Sequence, residues 1–102
     1  MSAFEFSATV WQWQGDGPAT WRFVTLPFDV TDEIDDLTSH ATRGFGSVRV
    51  TVTVGATTWT TSVFPSKEHK SFILPVKAQV RKAEGLTDGS VARVHLELVD
   101  VE

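Results

Sequence analysis

The sequence predicts a mainly β protein of the α+β class, in which six strands and two short helices form a small closed or split β-barrel. Three observations support this prediction. The β-branched residues valine and threonine, which favour strands, fill 27 of the 102 positions. Several short segments alternate apolar and polar residues, and two other segments repeat their apolar residues with the period of a helix. Because closure removes exposed strand edges, a barrel is the expected arrangement of the single domain, residues 1–102.

The first strand is predicted over residues 4–10, where every second residue is apolar. Trp11 and Trp13 then fall on the opposite parity, which indicates a twist or bulge in the strand, or a covered outer face. A Gly-Asp-Gly-Pro turn at residues 15–18 precedes a second strand over residues 20–26. We expect these two strands to form a hairpin.

The first helix is predicted after Pro27, from apolar residues that recur at i, i+4, i+7 and i+11. Asp29 or Thr31 is the candidate cap, and acidic residues in the first turns suit the positive end of the helix dipole. Gly44 is expected to close the helix. The apolar stripe consists of Val30, Ile34, Leu37 and Ala41.

The clearest strand covers residues 47–54, where valine occupies one parity and polar residues occupy the other. Gly55 and Ala56 separate it from a further strand over residues 57–64. A two-residue loop with glycine first suits a type II′ turn, so these two strands are predicted to form a hairpin.

A charged loop at residues 65–70 leads to a short strand over residues 71–74, and a last long strand is predicted over residues 92–99. Between them lies a second helix, predicted from Pro75 because proline suits the first helical turn. Gly85 suits the position after its C-terminus. The apolar stripe of this helix consists of Val76, Val80 and Ala83.

The charge of the chain is uneven. Its formal net charge is −4 and its pI is about 5.2, which disfavours nucleic acid as the main partner because phosphate binding needs a basic surface. Acidic residues cluster in the first helix, and basic residues follow between residues 67 and 82. Carboxylates at i, i+4 spacing can transfer protons or bind magnesium, but a solvated helix face is the favoured interpretation. The acidic cluster consists of Asp29, Asp32, Glu33, Asp35 and Asp36.

No residue pattern indicates catalysis, a metal or a cofactor. The chain has no cysteine, and none of His40, His69 and His95 lies three or four residues from another histidine. Ser62 and Ser66 lack the Gly-x-Ser-x-Gly context of a nucleophile elbow. We expect the histidines to face solvent, and the sequence favours a protein that is not an enzyme.

The basic face of the second helix is the strongest candidate for binding. Lys77 and Arg81 are four residues apart and share a helix face, with Lys82 beside them. Such cations bind phosphate or carboxylate groups, but they also occur on solvated helix faces near the negative end of the dipole. With Trp59 or Phe64 as a wall, we expect these side chains to hold a small anionic ligand at one end of the barrel.

Two alternatives remain open. Trp11 and Trp13 share the parity of the polar residues of their strand and, if exposed, would form the interface of a homodimer or with a partner protein. Small barrels can also bind nucleic acid, and Arg93 from the last strand could extend the basic face. The negative net charge disfavours this second alternative.

The sequence predicts a cytoplasmic protein that does not enter a membrane. No apolar run approaches the roughly 18 residues that a spanning helix needs. Residues 1–10 lack the basic and apolar regions of a secretory signal. The absence of cysteine gives no indication of an oxidising compartment.

Five segments together resemble one bacterial family, the domain of unknown function DUF1905. The most specific parts are a strand that runs from tryptophan to proline and a helix that ends in Arg-Lys-Ala-x-Gly. The resemblance covers essentially the whole chain and implies a small closed or split barrel with two helices, here as a stand-alone member. The family has no established activity, so the resemblance implies no catalytic residues. The matching segments are residues 21–27, 44–54, 58–65, 74–77 and 80–86.

One position departs from the family pattern. Members often have Gly-Asp before the last strand, where this chain has Gly89 and Ser90. The aspartate is expected to help a turn, so Ser90 argues against an ionic role for this position. Asp88 is the expected substitute as a turn former.

Overall fold

The computed structural model describes residues 3–14, 17, 20–38 and 46–99. Within these ranges the chain is mainly β with two helices, which confirms the α+β class. Neither helix is long and apolar enough to span a lipid bilayer. The elements in chain order are β1 (Ala3–Thr9), β2 (Trp11–Gln12), β3 (Arg22–Thr25), α1 (Phe28–Thr38), β4 (Val48–Val54), β5 (Thr57–Ser66), β6 (Ser71–Pro75), α2 (Ala78–Glu84) and β7 (Val91–Leu98).

The strands form a seven-stranded sheet in the order β1-β7-β4-β5-β6-β3-β2, which curls into a half-barrel. The predicted closed barrel of six strands is therefore wrong. The additional strand is β2, which follows β1 in the chain but pairs with β3 at the opposite edge of the sheet. In the described part of the chain the two edge strands are not paired with each other, so the sheet stays open.

Val10 is the point at which the chain leaves one sheet edge for the other. Its side chain is buried, its backbone N–H donates to the Ser90 carbonyl at 2.9 Å, and its carbonyl accepts from the Gly89 N–H at 2.9 Å. The next residue, Trp11, lies opposite Phe23 of β3. The parity change in the sequence therefore marks a bend, and the hairpin predicted for the first two strands is limited to the two residues of β2.

The hydrophobic core lies on one face of the sheet. The alternation in β4 places its four valines in the core, while Arg49 is exposed, as the sequence predicted. Trp59 of β5 and Leu74 of β6 continue this face. Ile34 of α1 and Val80 of α2 pack into the same cluster. Both helices are thus held by burial of apolar surface, which is the main source of helix stability in a folded protein.

A second apolar layer covers the opposite face of β3. Val24 points into the core, so its neighbour Phe23 points outward. Phe23 is buried nevertheless, because the rings of Trp11 and Trp13 lie against it at centroid distances of 5.3 and 5.4 Å. The two tryptophans that follow the bend at Val10 therefore cover the outer face of the sheet.

Helix α1 packs through a narrower stripe than predicted. Ile34 is fully buried, but Leu37, which the predicted stripe includes, is 39% exposed. Thr38 takes the buried position instead, because its hydroxyl donates to the Ile34 carbonyl at 2.7 Å and so has a partner away from water. The predicted positions Ala41 and Gly44 lie outside the described residues.

The two candidate caps of α1 have different roles. The Asp29 carboxylate accepts a hydrogen bond from the Val30 N–H at 3.0 Å, which satisfies one of the free donors of the first turn. The Thr31 hydroxyl instead accepts from the Phe72 N–H at 3.2 Å. Thr31 therefore ties the helix to β6.

Helix α2 starts later than predicted. Pro75 is the last residue of β6, and Lys77 is the N-cap. Val80 is buried but Ala83 is exposed, so the apolar stripe is shorter than predicted. Gly85 ends the helix as predicted, with a left-handed φ of +65° and an N–H that donates to the Arg81 carbonyl.

The β4–β5 turn is tied to the end of α2. Gly55 has a φ of +60° and Ala56 has no positive φ, as a type II′ turn requires. The Thr57 hydroxyl donates to Glu84 Oε2 at 2.5 Å. Glu84 Oε1 occupies the place that a Cβ at Gly55 would take.

We expect Gly55→Ala to destabilise the protein more than Gly85→Ala. Both residues have a left-handed φ, which costs an L residue about 1 kcal/mol. A Cβ at position 55 would also displace the Glu84 carboxylate from Thr57, whereas nothing lies within 4 Å of a Cβ at position 85. Urea unfolding should show a loss of about 2 kcal/mol for Gly55→Ala and about 1 kcal/mol for Gly85→Ala. Equal losses would mean that Glu84 moves aside without cost.

Candidate functional site

A cleft opens where β5 and β6 separate. Their pairing ends at Phe64 and Ile73. Toward its N-terminus β5 stays paired with β4, while the last residues of β6 stay paired with β3. The two halves of the sheet therefore diverge, and a cavity of about 780 Å³ lies between them. Its walls are β5, the first residues of β3, and the segment from Pro75 into α2.

Most of the cleft wall is apolar and aromatic. Trp59, 8% exposed, belongs to both the core and the cleft and forms part of its floor. Phe64 is 42% exposed at the rim. Trp13, Trp21 and Phe23 form a further part of the wall, which we call the aromatic corner. A concave, mostly apolar site with a few polar groups is typical of small-molecule binding sites.

The structure brings together four of the five side chains that the sequence indicated for ligand binding. Trp59, Phe64, Lys77 and Arg81 all line the cleft. Lys82 does not, because it is one residue further along α2 and so points about 100° away from Arg81. Lys82 is exposed to solvent.

Arg81 contacts two backbone carbonyls. Its Nε donates to the Val76 carbonyl at 3.0 Å and its Nη2 donates to the Thr20 carbonyl at 3.1 Å. In the described ranges neither Arg81 nor the exposed Lys77 forms an ion pair. Carbonyl oxygens carry only partial charges, so the cleft wall keeps two cations that do not pair with a carboxylate of the described chain.

A third cation in the cleft wall, Arg22, was not indicated by the sequence. Its Nε donates to the Asp88 carboxylate, and its Nη1 donates to the Trp21 carbonyl at 3.1 Å. Asp88 is 66 positions away in the chain, so no local pattern predicts the pair. Asp88 lies in a turn, as predicted: the Ser90 N–H donates to the Thr87 carbonyl at 2.9 Å across Asp88 and Gly89, and the Ser90 hydroxyl oxygen accepts from the Thr87 N–H at 2.9 Å.

The aromatic corner consists of rings that touch without stacking flat. Trp13 lies 5.9 Å from Trp21 at an interplanar angle of 59°, and 5.4 Å from Phe23 at 46°. Trp21 is 46% exposed, so the corner is open to solvent. The sequence signals for it were the parity change at Trp11 and Trp13 and the alternation that places Trp21 and Phe23 on one face of the predicted second strand.

Trp11 lies outside the cleft wall and is half-buried against its own chain. Its Nε1 donates to the Thr25 hydroxyl at 2.9 Å, and its ring lies 4.6 Å from the ring of His69. His69 is therefore partly covered, whereas the sequence predicted that it faces solvent. His40 lies outside the described residues.

A separate ionic cluster lies across β1 and β7. Arg93 Nη2 donates to Glu5 Oε1 at 3.3 Å, so Arg93 does not extend the basic face of α2. His95 lies between two carboxylates, with Nδ1 at 3.1 Å from Glu5 and Nε2 at 3.2 Å from Glu97. Hydrogen bonds to Glu97 and then to Glu5 raise the pKa of His95 above 6.5. The hydrogen bond with His95, followed by the contact with Arg93, lowers the pKa of Glu5 below 4.5.

This cluster predicts a pH window of stabilisation. Because the pKa of His95 is raised on folding, its contribution is complete below about pH 6.5 and is lost as pH rises through the folded pKa. Because the pKa of Glu5 is lowered, its contribution is complete above about pH 4.5 and is lost as pH falls. The difference in thermal midpoint between wild type and His95→Gln should be largest at about pH 5–6 and should shrink by about pH 8. A difference that grows toward pH 8 would contradict this assignment.

The described lining residues of the cleft contain no acid–base pair. They include one carboxylate, Glu68, and no histidine. Over the described ranges, no group of three or more histidine, aspartate or glutamate side chains is placed to hold a metal ion. The described lining residues can therefore make apolar contacts, stack on an aromatic ring and contact an anion through their cations.

Comparison with known proteins gives a family but no activity. A comparison with curated proteins finds no match. The family model described as Domain of unknown function (DUF1905) matches residues 6–96, which is most of the chain. This match agrees with the resemblance carried by the sequence segments, and its range includes all seven strands in whole or in part and the whole cleft. The chain belongs to the DUF1905 family.

Proposed function

We propose that this protein is a non-catalytic binding module for a small anionic ligand, which it holds in the cleft between β5 and β6. The observation that carries the proposal is the presence of Lys77 and Arg81 in an aromatic cleft without an ion-pair partner in the described chain. An anion placed there would receive charge-assisted hydrogen bonds.

The two kinds of wall would have separate roles in binding. The apolar part of the cleft wall, with Phe64 42% exposed at its rim, would supply most of the affinity, because removal of apolar area from water is favourable and non-directional. Lys77 would supply selectivity for negative charge. Its exposed ammonium group is free to turn toward a ligand, whereas Arg81 is held by its two carbonyl partners.

Calorimetric titration tests this proposal with two carboxylates, octanoate and 2-naphthoate, and with the neutral amides of both. We expect each carboxylate to bind about tenfold more tightly than its amide, which corresponds to about 1.4 kcal/mol. Lys77→Gln should remove most of this preference. The matched control is Lys82→Gln, which removes the same charge five residues further along, within α2 but outside the cleft wall, and should change the affinity less than about twofold.

Two results would contradict the proposal. Amides that bind as tightly as the carboxylates would show that charge has no part in recognition. An equal effect of Lys77→Gln and Lys82→Gln would show that the ligand affinity depends only on the overall positive charge of this region. Such a long-range electrostatic effect is screened by salt. Repeating the titration at about 0.5 M salt separates these cases, since a direct contact is screened less than a long-range field.

The second candidate function is self-association through the outer aromatic face. The observation that favours it is the exposure of Trp21 and Phe64 at the rim of the cleft. A homodimer through Trp11 and Trp13 would have to use the parts of these rings that Phe23 leaves free. Light scattering at rising protein concentration tests it: a dimer that Trp21→Ser dissociates supports this function, and a monomer at millimolar concentration contradicts it.

A cytoplasmic site of action is part of the proposal. It is supported by the absence of cysteine, since the chain does not use an oxidising compartment to form disulfides. Cell fractionation of the natural host, with an antibody to the protein, tests this placement.

A further inference from the structure

We infer that the ligand is an aryl carboxylate, whose ring packs in the aromatic corner while its carboxylate contacts Lys77 and Arg81. This inference rests on the proposed function and names the chemical class of its ligand. It also extends the site beyond the residues indicated by the sequence, to Trp13, Trp21 and Phe23.

Of the three rings of the aromatic corner, Trp21 is the most open, with 46% of its surface exposed, whereas Phe23 is buried. Trp13 meets Trp21 at 59° and Phe23 at 46°, so the three rings do not form a flat stack, and the exposed part of Trp21 lies in the cleft wall. Aromatic rings prefer tilted or offset partners at centroid distances of about 4.5–7 Å, and a ligand ring would meet the exposed part of Trp21 in this way. A saturated ring of the same size would gain burial there but not the aromatic contribution.

Trp21 has contacts on two sides before any ligand binds. On one side it contacts Trp13. At its six-membered ring it meets the backbone of Gly17, where a Cβ would lie 3.0 Å from Trp21 Cζ3. A ring that is already held in place loses little side-chain freedom on binding, which favours affinity.

The cations lie at the same end of the cleft as the aromatic corner. Arg81 Nη2 donates to the carbonyl of Thr20, the residue directly before Trp21. Phe23 pairs with Pro75 across β3 and β6, and continuation of this antiparallel register brings Trp21 to the level of Lys77. A ligand ring against Trp21 would therefore have its carboxylate beside the two cations, as in an acid whose carboxylate is attached directly to its ring.

The only carboxylate among the described lining residues lies at the other end of the cleft. Glu68 is in the turn before β6, whereas Lys77 follows the end of β6. Five strand residues separate these ends by on the order of 15 Å. Glu68 would repel a second negative group at the far end, so the cleft favours a ligand with its charge at one end. A volume of about 780 Å³ leaves room for a fused ring system.

Calorimetry with 2-naphthoate and its saturated counterpart, decahydro-2-naphthoate, tests the inference. Both acids carry the same charge on similar ring frameworks, so their ratio of dissociation constants isolates the aromatic contribution. We expect 2-naphthoate to bind about fivefold more tightly. Trp21→Leu should bring the ratio close to one, because both acids lose buried area but only 2-naphthoate also loses the aromatic contribution. The matched control is Phe28→Leu, which replaces a 65% exposed aromatic residue of α1 outside the cleft wall and should leave the ratio unchanged.

The outcomes separate this inference from the proposed function. Equal affinities for the two acids, both weakened by Lys77→Gln, would overturn the aryl assignment and leave the anion site in place. No binding of either acid at millimolar concentration would overturn both. A fivefold ratio that persists in Trp21→Leu would overturn the aromatic corner as the ring site. Nuclear Overhauser contacts between naphthoate protons and the indole protons of Trp13 or Trp21 would support it, and their absence from a saturated complex would contradict it.

Discussion

Trp59→Ala is expected to lower the free energy of unfolding by about 3–5 kcal/mol, the largest effect of any substitution in the cleft wall. Trp59 lies opposite Val52 in the sheet, is 8% exposed, and belongs to the hydrophobic core as well as to the cleft floor. Truncation would remove its buried area and leave a cavity that the paired strands cannot close. Because domains of this size are stable by only about 5–15 kcal/mol, the thermal midpoint should fall by roughly 15 °C or more.

Phe64→Ala is the matched control for this prediction. Phe64 lines the same cleft and is also aromatic, but it is 42% exposed and outside the core cluster. We expect its truncation to cost less than about 1 kcal/mol while still weakening ligand binding. Thermal and urea unfolding of both variants checks the contrast. A Trp59→Ala protein as stable as Phe64→Ala would show that the Trp59 ring is not part of the core.

The elements of this fold could be predicted where a single segment of the chain contains the complete residue pattern of a strand, a turn or a helix end. The valines of β4 alternate with polar residues, so their burial follows from the period of a strand. The turn at Gly55 and the end of α2 at Gly85 follow from the need for a positive φ. The spacing of Lys77 and Arg81 predicted a shared helix face; Lys77 is the N-cap that precedes α2, but both side chains line the cleft.

The sequence could not decide whether the sheet closes into a barrel, because alternation shows which face a residue occupies but not which strand lies beside it. Trp11 and Trp13 signalled a change of face, yet the same signal fits a twist, a bulge or a change of partner strand. Its actual cause is the bend at Val10, which is held by hydrogen bonds to Gly89 and Ser90 near the other end of the chain. Such a contact leaves no trace in local periodicity.

The cleft was only partly predictable for the same reason. It exists because β5 pairs with β4 while the end of β6 pairs with β3, so its shape depends on which strands pair and where that pairing ends. The aromatic corner joins Trp13 to Trp21 and Phe23 from the next strand, a placement that requires the register of β2 and β3. The sequence could indicate the ligand's charge from one helix, but not the ring that we infer beside it.

Arg81→Lys is expected to destabilise the protein even though it keeps the positive charge. The Arg81 guanidinium spans from the Val76 carbonyl, two residues before α2, to the Thr20 carbonyl, two residues before β3. Lysine has a single terminal nitrogen and cannot reproduce this fork. Loss of the two bonds should lower the free energy of unfolding by about 1–3 kcal/mol in both Arg81→Lys and Arg81→Met.

Lys77→Met provides the control, because Lys77 is exposed and its side chain makes no cap hydrogen bond. We expect it to change stability by less than about 0.5 kcal/mol. Amide exchange gives a local readout: the Val80 and Arg81 amides, which both donate to the Lys77 carbonyl, should exchange faster in Arg81→Lys but not in Lys77→Met.

Ligand titration of the same three variants then separates the two cations of the cleft. If Arg81 mainly braces α2 against the Thr20 carbonyl, Arg81→Lys should keep the preference for carboxylate over amide, because the positive charge remains beside the cleft. Lys77→Met should lose that preference while the fold stays intact. A stable Arg81→Lys protein that no longer distinguishes carboxylate from amide would reverse the assignment, with Arg81 as the anion-binding residue and its carbonyl contacts of little structural consequence.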